Sequence, residues 1–576
     1  MVSGMAQLVL SLAFAFFLVA SSARAAVVEH TFNVGNLTVN KLCQDRVITA
    51  VNKKLPGPTI LAKEGDTVIV HVNNNSPYNI TIHWHGIYQL LTAWADGPNY
   101  ITQCPIVPGR SYTYNFTITG QAGTLWWHAH VSTLRATVYG ALIIRPRAGS
   151  NAYPFPKPHK EIPIILGEWW NANVVDVETE AFLSGQGPTN SDAYTINGSP
   201  GDLYMCSHKQ TYKLEVVHGE TYMLRIINAA LNNQLFFKVA NHSFTVVAVD
   251  ASYTMPYKTD VIVIAPGQTV DALMVADASP SARYYMAARA YASAVNLAFD
   301  STTTTGIVHY KPVGTNRSTT PVPPVMPSLP DFFDTPTAYR FYTNLTGLIK
   351  PGSPKVPLHV DETMFVTIGL GFAPCGAGQT ECMGQALSAS TNNVSFAFPT
   401  RMSLLEAQFK GAKGIYTSDF PNMPPVVFDY TNQSMNTDPA ADSLSVTPKG
   451  TKVKKVKYGA VVEMVLQNTA LLAIESHPMH LHGFDFFVLA QGFGNYNAST
   501  DVKNYNLVNP QVRNTIAVPT GGWSVIRFKA NNPGMWFMHC HLDVHLSWGM
   551  AMAFEVENGP DAASTLPPPP PDFPTC

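Results

Sequence analysis

One pattern recurs three times along the chain. Gly65-Asp66-Thr67-Val68 leads nine positions on to Asn74, Gly219-Glu220-Thr221-Tyr222 to Asn228, and Gly459-Ala460-Val461-Val462 to Asn468. Each time a turn glycine opens an apolar run such as VIVHV or YMLRII, which reads as a strand. A Pro-Gly turn before another strand is also shared: Pro108-Gly109, Pro266-Gly267 and, more loosely, Pro519 to Gly522. The copies start about 150 and about 240 residues apart, too far for solenoid units, so each marks a whole domain.

Boundaries follow from that spacing. Residues 1–25 read as a signal peptide: the apolar run Leu8 to Val19 is short for a bilayer, and Ala23-Arg24-Ala25 is a small-x-small cleavage signal. Domains are predicted at 26–147, 158–312 and 336–576, with a Pro-rich, extended linker at 313–335. Few helical periodicities of any length appear, and 44 Pro and 39 Gly punctuate strand-like runs. The expected architecture is all-β, three barrels or sandwiches in tandem. With 36 basic and 38 acidic residues and no run of like charge, the chain has no field to draw nucleic acid or an anionic membrane. No other stretch reaches transmembrane length, so a secreted, soluble protein is expected.

Secretion makes the cysteines informative. Of seven (Cys43, Cys104, Cys206, Cys375, Cys382, Cys540 and Cys576), six can pair in an oxidising compartment. Cys540 is the natural odd one, because it lies inside His539-Cys540-His541, where a thiolate is a metal ligand. Cys375 and Cys382 are close enough to close a small loop. Sequons at Asn36, Asn74, Asn79, Asn115, Asn197, Asn241, Asn316, Asn344, Asn393, Asn432 and Asn497 fit a heavily glycosylated surface.

Ten of the eighteen histidines fall in four clusters: His83/His85, His128/His130, His477/His480/His482 and His539/His541/His545. Two clusters lie in the first domain and two in the third, in matching order. Residues i and i+2 of a strand share a face, so each His-x-His offers two imidazoles to one site. Four such pairs (His83/His85, His128/His130, His480/His482, His539/His541) supply eight. Cys540 must then point to the opposite face, where it can meet His477 and His545. One strand would carry two sites back to back, joined through bonded backbone.

One thiolate, two imidazoles and a weak axial ligand make a blue-copper centre, and Met550, ten residues past Cys540, is placed to be the axial thioether. Eight imidazoles without carboxylate or thiolate suit several copper ions. Structural zinc would want more Cys and leave most of these His unused, and a non-haem iron triad would want a carboxylate. GTLWWHAH (123–130) parallels GMWFMHCH (534–541), with Ala129 where Cys540 stands. The middle domain has neither His pair in its repeat, so its expected part is spacing and building a substrate wall.

HWHG (83–86), WHAH (127–130), HPMHLHGF (477–484) and HCHLDVHLSWGM (539–550) resemble the signatures of the multicopper oxidases, and the whole mature chain is similar to the plant laccases. The resemblance implies three cupredoxin-like Greek-key domains and four copper ions. It assigns one type 1 copper to His477, Cys540 and His545, and one type 2 copper to His83 and His480. The type 3 pair falls to His85, His128 and His541 on one ion and His130, His482 and His539 on the other. It also implies disulfides Cys104–Cys576 and Cys43–Cys206, and matches Asp96, in Trp94-Ala95-Asp96-Gly97-Pro98, to an acid near the type 2 copper that donates protons or orients a ligand. Read alone, Asp96 is equally a turn aspartate before Gly-Pro. Many plant laccases carry Leu or Phe where this chain has Met550, and a thioether there should lower the blue-copper potential. A loose local alignment puts Ala240 where fungal laccases hold an acid against the phenol.

What the resemblance implies is one-electron oxidation of small phenols such as monolignols. Electrons pass through Cys540 to His539 and His541, and O2 is reduced to water. A monomeric apoplastic glycoprotein acting in lignin formation or turnover is the expected setting. The alternatives are an ascorbate oxidase or a ferroxidase, the latter needing carboxylates beside a type 1 histidine, for which Glu475 and Asp485 flank His477. A copper-free wall glycoprotein should lack several ligands, and this chain lacks none.

Overall fold

The computed structural model describes residues 25–148, 152–207, 210–311, 323–432 and 444–576; the expected signal peptide (all but its last residue) and the first ten residues of the linker lie outside them. The repeated strand, Thr67–Asn74, Thr221–Asn228 and Val461–Asn468, takes the same place in every domain. It pairs in parallel with the opening strand (Val27–Lys41, Lys160–Trp169, Glu362–Pro374). On its other side it pairs antiparallel with the strand after the Pro-Gly turn or its loose counterpart (Ser111–Thr117, Thr269–Val275, Gly522–Lys529). Each sheet is closed over by a second one, giving two four-stranded sheets in the first domain and six- and five-stranded sheets in each of the others. Apolar side chains alternating from both sheets fill three separate cores, the arrangement of three cupredoxin-like sandwiches.

The repeat's asparagine turns out to be a latch. Asn74 Nδ2 donates to the carbonyls of Tyr78 and Ile106, Asn228 Nδ2 to those of Asn233 and Ile264, and Asn468 Nδ2 to those of Glu475, Val518 and Pro519. Each buried amide ties neighbouring loops and strand ends together through their carbonyls. This corrects one sequence expectation: Asn74, 1% exposed, is part of the core and not a glycan site. Asn36, Asn79, Asn115, Asn241, Asn344 and Asn497 stand exposed.

The longest helix among the described residues, Val174–Ser184, was not expected. Its sequence VVDVETEAFLS carries only a short apolar stripe, Val174, Val177 and Ala181, and buries only Val177, with caps setting its ends: Asn173 accepts from Val175 N–H, and Gly185 ends it at φ 69. Three disulfides, Cys43–Cys206, Cys104–Cys576 and Cys375–Cys382, leave Cys540 as the free, buried thiol. The Cys104–Cys576 bridge seats the tail on the first domain, where Trp94 Nε1 donates to the Pro567 carbonyl (2.8 Å) beside the loop that carries Asp96.

Candidate metal centre

Strand pairing brings the histidines together. Ile82–His85 runs antiparallel to Gly123–Ala129 with His83 opposite His128, and His477–Leu481 runs antiparallel to Gly534–Cys540 with His480 opposite His539. These are matching strand pairs of the first and third domains, and they face each other: the His85 ring stacks on His480 (3.8 Å between centroids) and His83 lies 4.1 Å from His482.

Eight imidazoles line this interface in three groups whose ligand atoms lie within 4.8 Å of one another: His83/His85/His480, His85/His128/His541 and His130/His482/His539. His541 Nε2 is 3.2 Å from His85 Nδ1, and His482 Nε2 is 3.2 Å from His539 Nε2. In most of these rings the outer nitrogen is held by an acceptor, which fixes the tautomer. His83, His128, His480 and His539 each donate Nδ1–H to a main-chain carbonyl, of Asp96, Ala129, Asn514 and Cys540 respectively (2.7–2.9 Å). His482 donates Nδ1–H to Asp96 Oδ2 (2.9 Å), and His85 Nε2–H meets Asn514 Oδ1 and Thr515 Oγ1. The inward nitrogens therefore carry lone pairs.

Those lone pairs favour a cation. His83 Nε2, His128 Nε2 and His480 Nε2 are buried without any protein partner, and an unsatisfied buried acceptor costs about 1–3 kcal/mol. Burial, reinforced by the neighbouring imidazoles and Arg135, keeps His85, His128, His130, His480, His482 and His541 well below the usual histidine pKa; burial also takes His539 down to about 3. All stay neutral, as metal ligands must be.

On the other face of Gly534–Cys540, Cys540 Sγ lies 3.9 Å from His477 Nδ1 and 3.6 Å from His545 Nδ1, with the two Nδ1 atoms 3.2 Å apart. Burial pushes the thiol well above its ordinary pKa, so it ionises only against a bound cation. Met550 is fully buried, its carbonyl accepting from Cys540 N–H and its own N–H donating to the His545 carbonyl. His545 Nε2 faces Glu475 Oε2 at 3.3 Å. This edge opens into a cavity of about 450 Å³ lined by Tyr291, Phe299, Leu370, Leu472 and Trp548 among others.

Asp96 is wholly buried between His482 and His83, its Oδ1 3.4 Å from His83 Nδ1. Gly97 follows because a Cβ there would sit 2.0 Å from the Ile82 carbonyl oxygen. Asp485 lies apart from the Cys540 cluster, accepting from Tyr88 O–H (2.8 Å). Ala240 is buried in the middle domain's core and does not line the cavity; the middle-domain wall comes from segments 187–190, 232–234, 291–294 and 297–299.

Three participants escaped the sequence reading. Asn514 and Thr515 hold the outer nitrogens of His85 and His480, and buried Arg135 donates to the His541 and Leu231 carbonyls. Arg135 carries no motif. For Thr515 the signal is its position opposite His480 across a strand pair, visible only once the pairing is known.

Multicopper oxidase family models match residues 33–149, 160–313 and 419–560. Laccase-7 of Arabidopsis thaliana is 61% identical over 560 residues, 97% of each chain. Laccase-24 of Oryza sativa subsp. japonica is 59% identical over 583 residues, covering 98% of this chain and 99% of its own. The crystal structure of laccase from Botrytis aclada superposes with a TM-score of 0.69 at 27% identity, covering 94% of this chain and 89% of that one.

Proposed function

The chain belongs to the multicopper oxidase family, and on that premise we propose that it works as a secreted plant-type laccase, taking one electron from each of four phenols and reducing O2 to water. The observation that carries this reading is a single strand, Gly534–Cys540, whose two faces serve different ligand clusters. His477, Cys540, His545 and Met550 would hold the type 1 copper, and His83 and His480 the type 2 copper. His85, His128 and His541 would hold one type 3 ion, and His130, His482 and His539 the other. Copper, when bound, supplies the one-electron redox chemistry and the place where O2 is reduced.

The rest is done by the chain. Cys540 and its chain neighbours His539 and His541 form an unbroken covalent path between the two clusters, buried throughout, which shields an electron in transit from solvent. The cavity at His545 stacks an aromatic ring on apolar walls and leaves the hydroxyl end to Glu475 and the imidazole edge, dimensions that suit a monolignol. Asp96 holds His482 Nδ1–H and is the carboxylate nearest the type 2 ligand His83, placed to carry a proton toward reduced oxygen. Replacing Asp96 with Ala is expected to lower copper retention at the histidine cluster about 10–100-fold, the usual cost of losing a ligand's outer partner, read as copper per chain after dialysis. Met550→Leu is expected to raise the potential of the blue centre, measured by redox titration of its visible band.

Glu475 beside His545 is the observation that favours iron as substrate. It stands alone there, however: among the described residues no cluster of three His, Cys, Asp or Glu side chains includes it. Steady-state rates on a methoxyphenol, ascorbate and Fe(II) decide the matter, and the phenol is expected to be fastest. No helix among the described residues is long and apolar enough to cross a membrane. An apoplastic, monomeric glycoprotein acting on lignin precursors completes the proposal; the exposed sequons support its glycosylation.

A further inference from the structure

We infer that the copper-free middle domain sets the geometry of the trinuclear centre, through the turn Pro266-Gly267-Gln268 and through Asp250, which makes these positioning residues for the reaction; the inference rests on the ligand assignment proposed above. The same Pro-Gly turn recurs with a different environment. In the first domain Gly109 has φ 78, and a Cβ there would meet nothing within 4 Å. In the middle domain Gly267 has φ 92, and a Cβ would fall 2.9 Å from His541 Cγ and Cδ2 and 3.1 Å from His85 Cε1. The backbone of a domain without ligands is thus the wall against which two ligand rings rest.

Three residues of this domain make further hydrogen bonds toward the centre. The Gly267 carbonyl accepts from Trp126 Nε1–H (3.2 Å), and the Trp126 ring lies 4.3 Å from His128, 5.3 Å from His85 and 5.7 Å from His541, centroid to centroid. Gln268 Nε2–H donates to the Thr515 carbonyl (3.1 Å), its orientation fixed because Oε1 accepts from Ala265 N–H (3.0 Å). Asp250 accepts from Arg513 Nε–H (3.0 Å) and from Thr515 N–H (3.3 Å), while its Oδ1 is tied at home to Thr269 N–H (2.9 Å). Thr515 Oγ1 in turn lies 3.1 Å from His85 Nε2 and 3.0 Å from His480 Nδ1. Gln268, Asp250 and Arg513 are all buried, so these bonds are not exchanged with water. The middle domain thereby touches or steers His85 and His128 of the first domain together with His480 and His541 of the third.

The fold supplies its own control. Gly219 of the same domain has φ 85, but a Cβ there meets nothing within 4 Å; Gly219→Ala therefore adds the same backbone strain without the contact. The test compares wild type, Gly219→Ala, Gly267→Ala and the near-isosteric Asp250→Asn after copper loading. It reads copper per chain, the paramagnetic signal of the isolated type 2 ion and the blue band. Gly267→Ala is expected to keep the blue band and to hold trinuclear copper at least about tenfold more weakly, Asp250→Asn to move the same way, and Gly219→Ala to match wild type. The blue band reports that a variant has folded; should Gly267→Ala lack it, Asp250→Asn carries the comparison. Wild-type copper and type 2 signals in both Gly267→Ala and Asp250→Asn would overturn the inference, as would an equal loss in Gly219→Ala. A wild-type protein that binds type 1 copper alone would bring down the proposed function, and the inference with it.

Discussion

Cys540→Ser is expected to abolish phenol oxidation and the blue colour while leaving copper bound at the eight histidines. The loss should far exceed the ~10–100-fold cost of removing an outer hydrogen-bond partner, because two things go at once. The soft anionic ligand that selects copper between His477 and His545 is replaced by a weakly acidic hydroxyl. The covalent path from that site to His539 and His541 also loses its first atom. Serine is nearly isosteric with cysteine, and the thiol is free of any disulfide, so the sandwich should persist. Oxygen uptake with a phenol, alongside copper per chain, checks this; phenol turnover retained in the variant would contradict the shared-strand account.

Acid is expected to unfold the copper-free protein steeply. The sign follows from which state takes up protons first. Burial lowers the folded-state pKa of His539 to about 3, and those of His85, His128, His130, His477, His480, His482 and His541 go well below the usual value. In the unfolded chain these imidazoles protonate near the ordinary value of about 6.5. Stability from this source is therefore complete above that value and is lost as pH falls from about 6.5 towards 3. For His539 alone the interval corresponds to about 5 kcal/mol, comparable with the whole stability of many domains. Copper that occupies the lone pairs should hold the folded state to lower pH. Denaturant unfolding of copper-free and copper-loaded protein at neutral pH and near pH 4 reads the difference; a copper-free protein equally stable at both would refute it.

The parts of this molecule that were legible in the sequence are those governed by a strict period. His-x-His and His-Cys-His show a strand's alternation directly, so eight imidazoles on one side of the strands and Cys540 with its two partners on the other could be placed without coordinates. The threefold glycine-to-asparagine spacing revealed three equivalent strands, and the all-β class follows from it. Legibility ended where function depends on pairing between distant strands. Thr515 and Asn514 orient His85 and His480 only because Thr515–Val518 lies beside His477–Leu481, and nothing in Arg-Asn-Thr announces it. Arg135 and Gly267 are of the same kind, each acting through a contact more than a hundred residues away. Asn74 shows the reverse error. Its sequon is real as a pattern, yet the burial that makes it a latch is a property of the fold. The helix Val174–Ser184 was missed because its apolar stripe is short and its caps set its ends.

Anomalous diffraction at the copper absorption edge, from crystals of the copper-loaded protein, tests the central claim most directly. One peak is expected between Cys540, His477 and His545, and three among His83, His85, His128, His130, His480, His482, His539 and His541 on the far face of the same strand. A map with no metal at the Cys540 sulfur, or with all its copper on one side of that strand, would contradict the account.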